Sequence, residues 1–252
     1  MHRARELTAT DMKTRTALLL SLAPLLWADA AGAQSRTYSA SVSRHRDTPT
    51  LSVEEVKSIL ADASKMLQKN SRQKRDTDDD NVKCNVTFTL KGPIRTFASP
   101  DTPAIVDKPD IDSVHRVDAD VRGVDFHVQV VNKIINFCRV PDRPGGLGFN
   151  GCSFPLNFRS IIVVHPKMHT DVANPSGPAL AKFPDHLLWA HEFGHLTGLG
   201  HRNHARALMT PCSLAEFSNI PDTQVQVTRN ECRCLLGGLG SCPLPEPVGC
   251  SQ

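Results

Sequence analysis

The residues able to do chemistry gather late in the chain, which reads Asp185-His186-Leu187-Leu188-Trp189-Ala190-His191-Glu192-Phe193-Gly194-His195-Leu196-Thr197-Gly198-Leu199-Gly200-His201. His191 and His195 stand four residues apart, so on a helix both imidazoles leave one face a turn apart, as two nitrogens must to share one Zn²⁺ at about 2.0–2.1 Å. Glu192 lies too far round the helix to complete a tetrahedron comfortably. It is placed to hold a water on the metal and accept its proton. Gly198 falls where the helix must end in a left-handed turn, and that reversal brings His201 back as a third ligand. Three protein ligands leave the fourth position to water, which marks a catalytic zinc; structural sites are closed by four side chains. In a chain of this length the five fixed residues arise by chance with a probability on the order of 10⁻⁴. His204 lies off the spacing and reads as a surface loop residue.

This stretch resembles the signature of the metzincin zinc peptidases, and Ala207-Leu208-Met209-Thr210-Pro211 resembles the Met-turn that follows it. The interval from His201 to Met209 is most similar to matrixins, whereas the cysteine-rich surroundings resemble pappalysin-like bacterial relatives; both subfamilies stay open. The resemblance implies that His191, His195 and His201 bind zinc and that Glu192 is the general base. It also implies that Met209 forms an apolar floor beneath the histidines without being a ligand, close to what a plain core methionine would do. Pro211 stands where some members carry a further Tyr ligand, so no fifth ligand is implied. Some matrixin precursors are silenced by a pro-segment Cys, and no Cys lies between Gln34 and Lys83. The family architecture further implies a twisted sheet whose edge strand lies antiparallel to an extended substrate. Residues 145–150 are the candidate edge, with 161–164 as neighbour; the alternative is a glycine loop without substrate contact.

The elements that must position this motif are partly legible. Ser52-Val53-Glu54-Glu55 is a capping box, and Val56, Ile59, Leu60, Ala63 and Leu67 recur at helical spacing, which predicts an amphipathic helix over 53–69. One short strand is expected near 37–42. Residues 84–97 read as a strand or as a hairpin around Lys91-Gly92-Pro93, and 124–137 and 160–165 read as strands. Residues 71–80, with Arg72, Lys74 and Arg75 and then Asp76, Asp78, Asp79 and Asp80, form a solvated loop; a processing site and a calcium loop are the weaker alternatives. Pro/Gly-rich connectors are expected over 141–157 and 167–182. The fold class is α+β: an α/β-type twisted mixed sheet, an active-site helix with the Met-turn below the zinc, and a disulfide-stapled C-terminal tail.

With 252 residues, one globular domain plus small extras is expected, and 29 basic against 26 acidic residues argue against a nucleic-acid footprint. The longest apolar run, 17–27, is about half the ~20 residues a membrane span needs. Preceded by Lys13 and Arg15 and followed by Ala31-Gly32-Ala33, it reads as a secretory signal peptide, with Met12 as an alternative start. All eight cysteines follow it, and an oxidising exterior lets them pair. Eight cysteines permit 105 full pairings, so the connectivity is open. For Cys232-Arg233-Cys234 and Cys242, a stapled tail is favoured over a second zinc site because paired C-x-x-C knuckles are missing. Asn85-Val86-Thr87 matches a glycosylation acceptor and is given no weight.

The division expected is a signal peptide over 1–33, a metzincin-type catalytic domain over 34–220 and a Cys-rich extension over 221–252. The expected function is a secreted or periplasmic Zn²⁺-dependent endopeptidase acting on polypeptide substrates, with no nucleic acid partner and no membrane span. A secreted binding module that keeps the metal without turnover is the main alternative, and a zinc amidohydrolase for small molecules the third.

Overall fold

Strand β1 (Arg36–His45) alternates Tyr38, Ala40 and Val42 with Ser39, Ser41 and Ser43, and it becomes an interior strand of a six-stranded, largely parallel sheet. The computed structural model describes residues 34–69, 82–105, 108–117, 123–135, 148–149, 151–154, 159–169, 184–202, 206–210 and 224–242. The expected leader at 1–33, the 71–80 loop, His204 and Pro211 lie outside the described residues.

Strands β2 (Val86–Leu90) and β3 (Arg95–Phe97) both run parallel to β1 on the same side, β2 along its first half and β3 along its second. The expected hairpin over 84–97 is therefore not formed, since a hairpin pairs its two strands antiparallel with each other. On the other side β1 pairs parallel with β5 (Phe126–Val131), and β5 with β9 (Ser160–Val164). Strand β8 (Gly151–Phe154) closes the order β2-β1-β5-β9-β8 and is antiparallel to β9. A smaller sheet joins β4 (Ala104–Ile105), β6 (Lys133–Ile135) and β7 (Gly148–Phe149).

Helices cover both faces, so the class is mixed α/β, and β9 is apolar on both sides as a covered parallel strand must be. Helix α1 (Val53–Gln68) starts at the predicted box: Ser52 Oγ accepts from Glu55 N at 3.1 Å and Ser52 N donates to Glu55 Oε2 at 2.7 Å. Its stripe Val56, Leu60, Ala63 and Leu67 packs with helix α3 (Asp185–Leu196) over Tyr38, Val128 and Val163. Helix α2 (Lys108–Val117) was not expected; Ile111 and Val114 join Phe97, Val131, Ile162 and Val164 in a second cluster. Beneath α2 the polar side chains pair among themselves, Ser160 Oγ with His115 Nδ1 at 2.5 Å and Ser41 Oγ with His127 Nδ1 at 2.6 Å.

Helix α4 (Arg229–Gly237) has its own capping box, Thr228 with Glu231. Two disulfides clamp it, Cys84–Cys232 and Cys234–Cys242, so Cys232, Cys234 and Cys242 are bridged and the alternative of a second zinc site there is not realised. The chain beyond α4 closes the end of α3, with Gly240 N donating to Leu196 O at 2.8 Å and Cys242 N to Thr197 O at 3.0 Å. Those carbonyls have no partner within the helix. The described residues belong to one compact unit, 33–252. No helix among them is long and apolar enough to cross a membrane.

Phe193 joins α3 to the sheet, its ring 4.6 Å from Tyr38, 4.8 Å from Phe88 and 5.0 Å from Phe126. Phe193→Ala is expected to cost about 3–5 kcal/mol of stability through the cavity it leaves. Chemical denaturation checks this, and a loss below ~1 kcal/mol would contradict the packing described.

Candidate metal centre and catalytic carboxylate

Helix α3 is buried through Leu187, Leu188, Trp189, Ala190, Phe193 and Leu196, so the side chains between them have few directions left. His191 and His195 project toward the turn that ends the helix. Thr197 still has right-handed helical backbone, and Gly198 follows at φ +97°, a conformation that L side chains rarely adopt. The chain reverses there and delivers His201. One ligand atom from each of His191, His195 and His201 falls within 4.8 Å of the others, the one such gathering of metal-ligating side chains among the described residues.

The chemistry of this donor set fits a zinc ion. His191 Nδ1 donates to Leu208 O at 2.7 Å and His195 Nδ1 to Leu199 O at 2.8 Å, which leaves each Nε2 with its lone pair toward the common point. His195 Nε2 and His201 Nε2 are 3.1 Å apart. A tetrahedral zinc at about 2.0–2.1 Å from each nitrogen spaces them by about 3.3–3.4 Å. Burial, together with the neighbouring imidazoles, holds His191 well below the ordinary histidine value and His201 down at about 4; burial lowers His195 too. All three are thus neutral near pH 7, the form that binds a metal.

Met209 is fully buried, its sulfur set against Gly194 on the underside of α3. Its turn is stitched in place by Arg202 N donating to Met209 O at 2.8 Å, Leu208 N to Gln226 O at 3.0 Å and Thr210 N to Ala207 O at 3.2 Å.

Glu192 faces away from the sheet's centre toward β8. Burial pushes its carboxyl up to about 7, against a lowering hydrogen bond from Ser153. Ser153 Oγ donates to Glu192 O at 2.7 Å and also meets Glu192 Oε2. An ionised Glu192 accepts the hydroxyl proton; a protonated one donates to Ser153, whose hydroxyl then turns to the backbone carbonyl. The serine has a partner in either state. Two residues earlier on the same strand face, a Cβ on Gly151 would stand 2.5 Å from Glu192 Oε1 and 2.8 Å from Leu188 Cδ1, so only glycine leaves room for the carboxylate.

Neither Gly151 nor Ser153 stood out in the sequence. Their period-2 spacing puts them on one strand face, but no local signal pairs that strand with α3. The expected sheet edge at 145–150 is displaced. Gly148–Phe149 pairs with β6 in the smaller sheet, while β8, beginning at Gly151, is the terminal strand of the main one among the described residues and pairs with 160–163, overlapping the expected neighbour 161–164. Residues 145–147 and 150 lie outside the described residues.

No family model and no curated protein sequence matches the chain. Among solved structures it is similar to a zinc-dependent peptidase from Methanocorpusculum labreanum, at 15% identity and a TM-score of 0.42, covering 78% of this chain and 99% of that one. It is also similar to archaemetzincin from Methanopyrus kandleri, at 14% identity and a TM-score of 0.45, covering 79% and 93%. A third is metalloproteinase-II from Bacteroides fragilis, at 13% identity and a TM-score of 0.36, covering 81% of this chain and 53% of that one.

The depressed histidines set a pH dependence for the metal-free protein. Between about 4 and the ordinary value near 6.5 the unfolded chain binds a proton that folded His201 refuses, so this contribution to stability is lost as pH falls through that window, and the lowered His191 and His195 act in the same direction. Raised Glu192 acts with opposite sign between its ordinary value and about 7, as one group against three. The chelated protein is expected to melt lower at pH 5 than at pH 7, and His201→Asn should flatten the slope. Calorimetry at the two pH values checks this; equal slopes for both proteins would refute it.

Proposed function

We propose that the chain is an exported zinc-dependent endopeptidase of metzincin type, with His191, His195 and His201 as zinc ligands and Glu192 as general base. The observation that carries this reading is the convergence of three neutral imidazoles beside one buried carboxyl whose pKa lies near 7. The two disulfides support an oxidising compartment, periplasmic or extracellular.

A zinc ion held by the three imidazoles supplies Lewis acidity toward a water and a peptide carbonyl. The protein's own residues do the rest. Glu192 accepts a proton from the attacking water as the new C–O bond forms, and delivers it to the amine nitrogen as the C–N bond breaks. A carboxyl with a pKa near neutrality suits both directions of transfer. Ser153 keeps the carboxyl oriented in both protonation states, and Gly151 keeps its space clear. Met209 beneath α3 fills the role of the Met-turn floor. An extended polypeptide pairs its backbone with the outer edge of β8, the mode in which a strand added to a sheet fixes a peptide irrespective of its side chains.

The test is digestion of an unbiased peptide library by the oxidised protein, with chelator, zinc add-back and Glu192→Ala in parallel. Chelator-sensitive cleavage is expected, reduced by about 10²–10⁴-fold in the variant with zinc content unchanged. Stoichiometric zinc with no cleavage would instead support the metal-bearing binding module. Gly151→Ala is expected to retain zinc and lower kcat more than it raises KM, because it displaces the base and no ligand. Unchanged kcat in that variant would remove β8 from the base's surroundings.

A further inference from the structure

His201 is the one ligand without a regular element to hold it: α3 ends at Leu196, and 199–202 has no helix or strand structure. The other two rings are oriented by their Nδ1 bonds to Leu208 and Leu199; among the described residues no such bond orients His201. Its backbone is held at the next residue.

Arg202 is fixed at both ends. Its backbone N–H donates to Met209 O at 2.8 Å. Its guanidinium forks onto Glu231, with Nε 2.9 Å from Oε1 and Nη2 3.4 Å from Oε2, and Nη2 also reaches Gln226 O at 3.4 Å. Glu231 is a rigid receiver. It is buried, it accepts from Thr228 N at 2.7 Å in the capping box of α4, and the neighbouring Cys232 is bridged to Cys84. A planar guanidinium on a carboxylate fixes direction as well as distance, which a lysine in the same place would not do.

We infer that Arg202 and Glu231 are positioning residues for the third ligand, a latch through which the disulfide-clamped helix α4 sets the affinity of the His191–His195–His201 site for its metal. The inference rests on the zinc reading above. It assigns the C-terminal cysteine segment a part in the metal site, reached through one charged pair.

The experiment measures Zn²⁺ affinity of the full oxidised chain by competition with a chromophoric chelator, so no turnover is needed. Glu231→Gln keeps the capping box, because Gln serves at that position as Glu does, and removes the ion pair. Arg202→Gln removes it from the other side. Each is expected to weaken zinc binding by about 10–100-fold, the range for residues that orient a ligand without touching the metal. Because both act through one contact, the double variant should lose no more than either single one. Arg202→Lys should restore only part of the affinity. Circular dichroism and melting of the chelated variants report whether the fold survives; should Glu231→Gln fail to fold, Arg202→Gln and Arg202→Lys carry the comparison. Affinities within about threefold of the parent in folded Arg202→Gln, or losses that add in the double variant, would overturn the latch. His201→Ala separates the two levels. If it weakens zinc binding while the latch variants do not, only the latch fails; if the parent chain takes up no zinc, the zinc reading fails and the latch with it.

Discussion

Everything at the site depends on burying α3 on nearly all sides while two imidazoles and a carboxyl on it remain usable. A buried ionisable group is tolerated only when it is neutral or well partnered. Here the solution differs by residue. The histidines are kept neutral and spend one nitrogen each on a backbone carbonyl, Leu208 for His191 and Leu199 for His195. The carboxyl is kept near neutrality by burial and is met by a serine hydroxyl that can donate or accept. The apolar remainder of the helix anchors it: Phe193 sits among three aromatic rings, and Leu187 and Leu196 are fully buried.

The same burial explains the long-range order of the chain. A helix sunk into a core cannot leave its last carbonyls open, and the chain after α4 returns to satisfy Leu196 and Thr197. Helix α4 is held in turn by Arg36, whose guanidinium donates to Leu236 O at 2.9 Å and Gly237 O at 2.7 Å, and by Tyr38, whose hydroxyl donates to Leu235 O at 2.6 Å. Residues of β1 thus hold α4, and the chain that follows α4 closes the end of α3. A tail that reads in sequence as a stapled extension is built into the fold that holds the site.

Legibility followed range. Local codes were readable: the box at Ser52 and Glu55, the helix it starts, the i,i+4 histidines and the glycine at the reversal all depend on residues within a few positions of one another. Helix α4 carries the same kind of signal in Thr228 and Glu231, and α2 a helical spacing in Ile111, Val114 and His115, yet both are too short for the spacing alone to distinguish them from loops. Strand pairing was not readable. Whether 84–97 folds back on itself or lays two strands along β1 is decided by partners some fifty residues away, Arg36 with Val86 and Ser43 with Arg95, and no turn residue distinguishes the two outcomes. The surroundings of Glu192 were hidden for the same reason, since Gly151 and Ser153 meet it only through tertiary packing.

Strand β8 ties these constraints together. It is antiparallel in an otherwise parallel sheet and has β9 on one side only, so its other backbone edge has no strand beside it among the described residues. Side chains leave a strand perpendicular to its hydrogen-bonding direction. The face carrying Gly151 and Ser153 is therefore committed to Glu192, and that commitment is separate from the strand's hydrogen-bonding direction, which runs toward β9. The placing of the carboxyl thus depends on the register of β8, since a shift of that strand by one residue would carry Gly151 and Ser153 to the opposite face and away from Glu192.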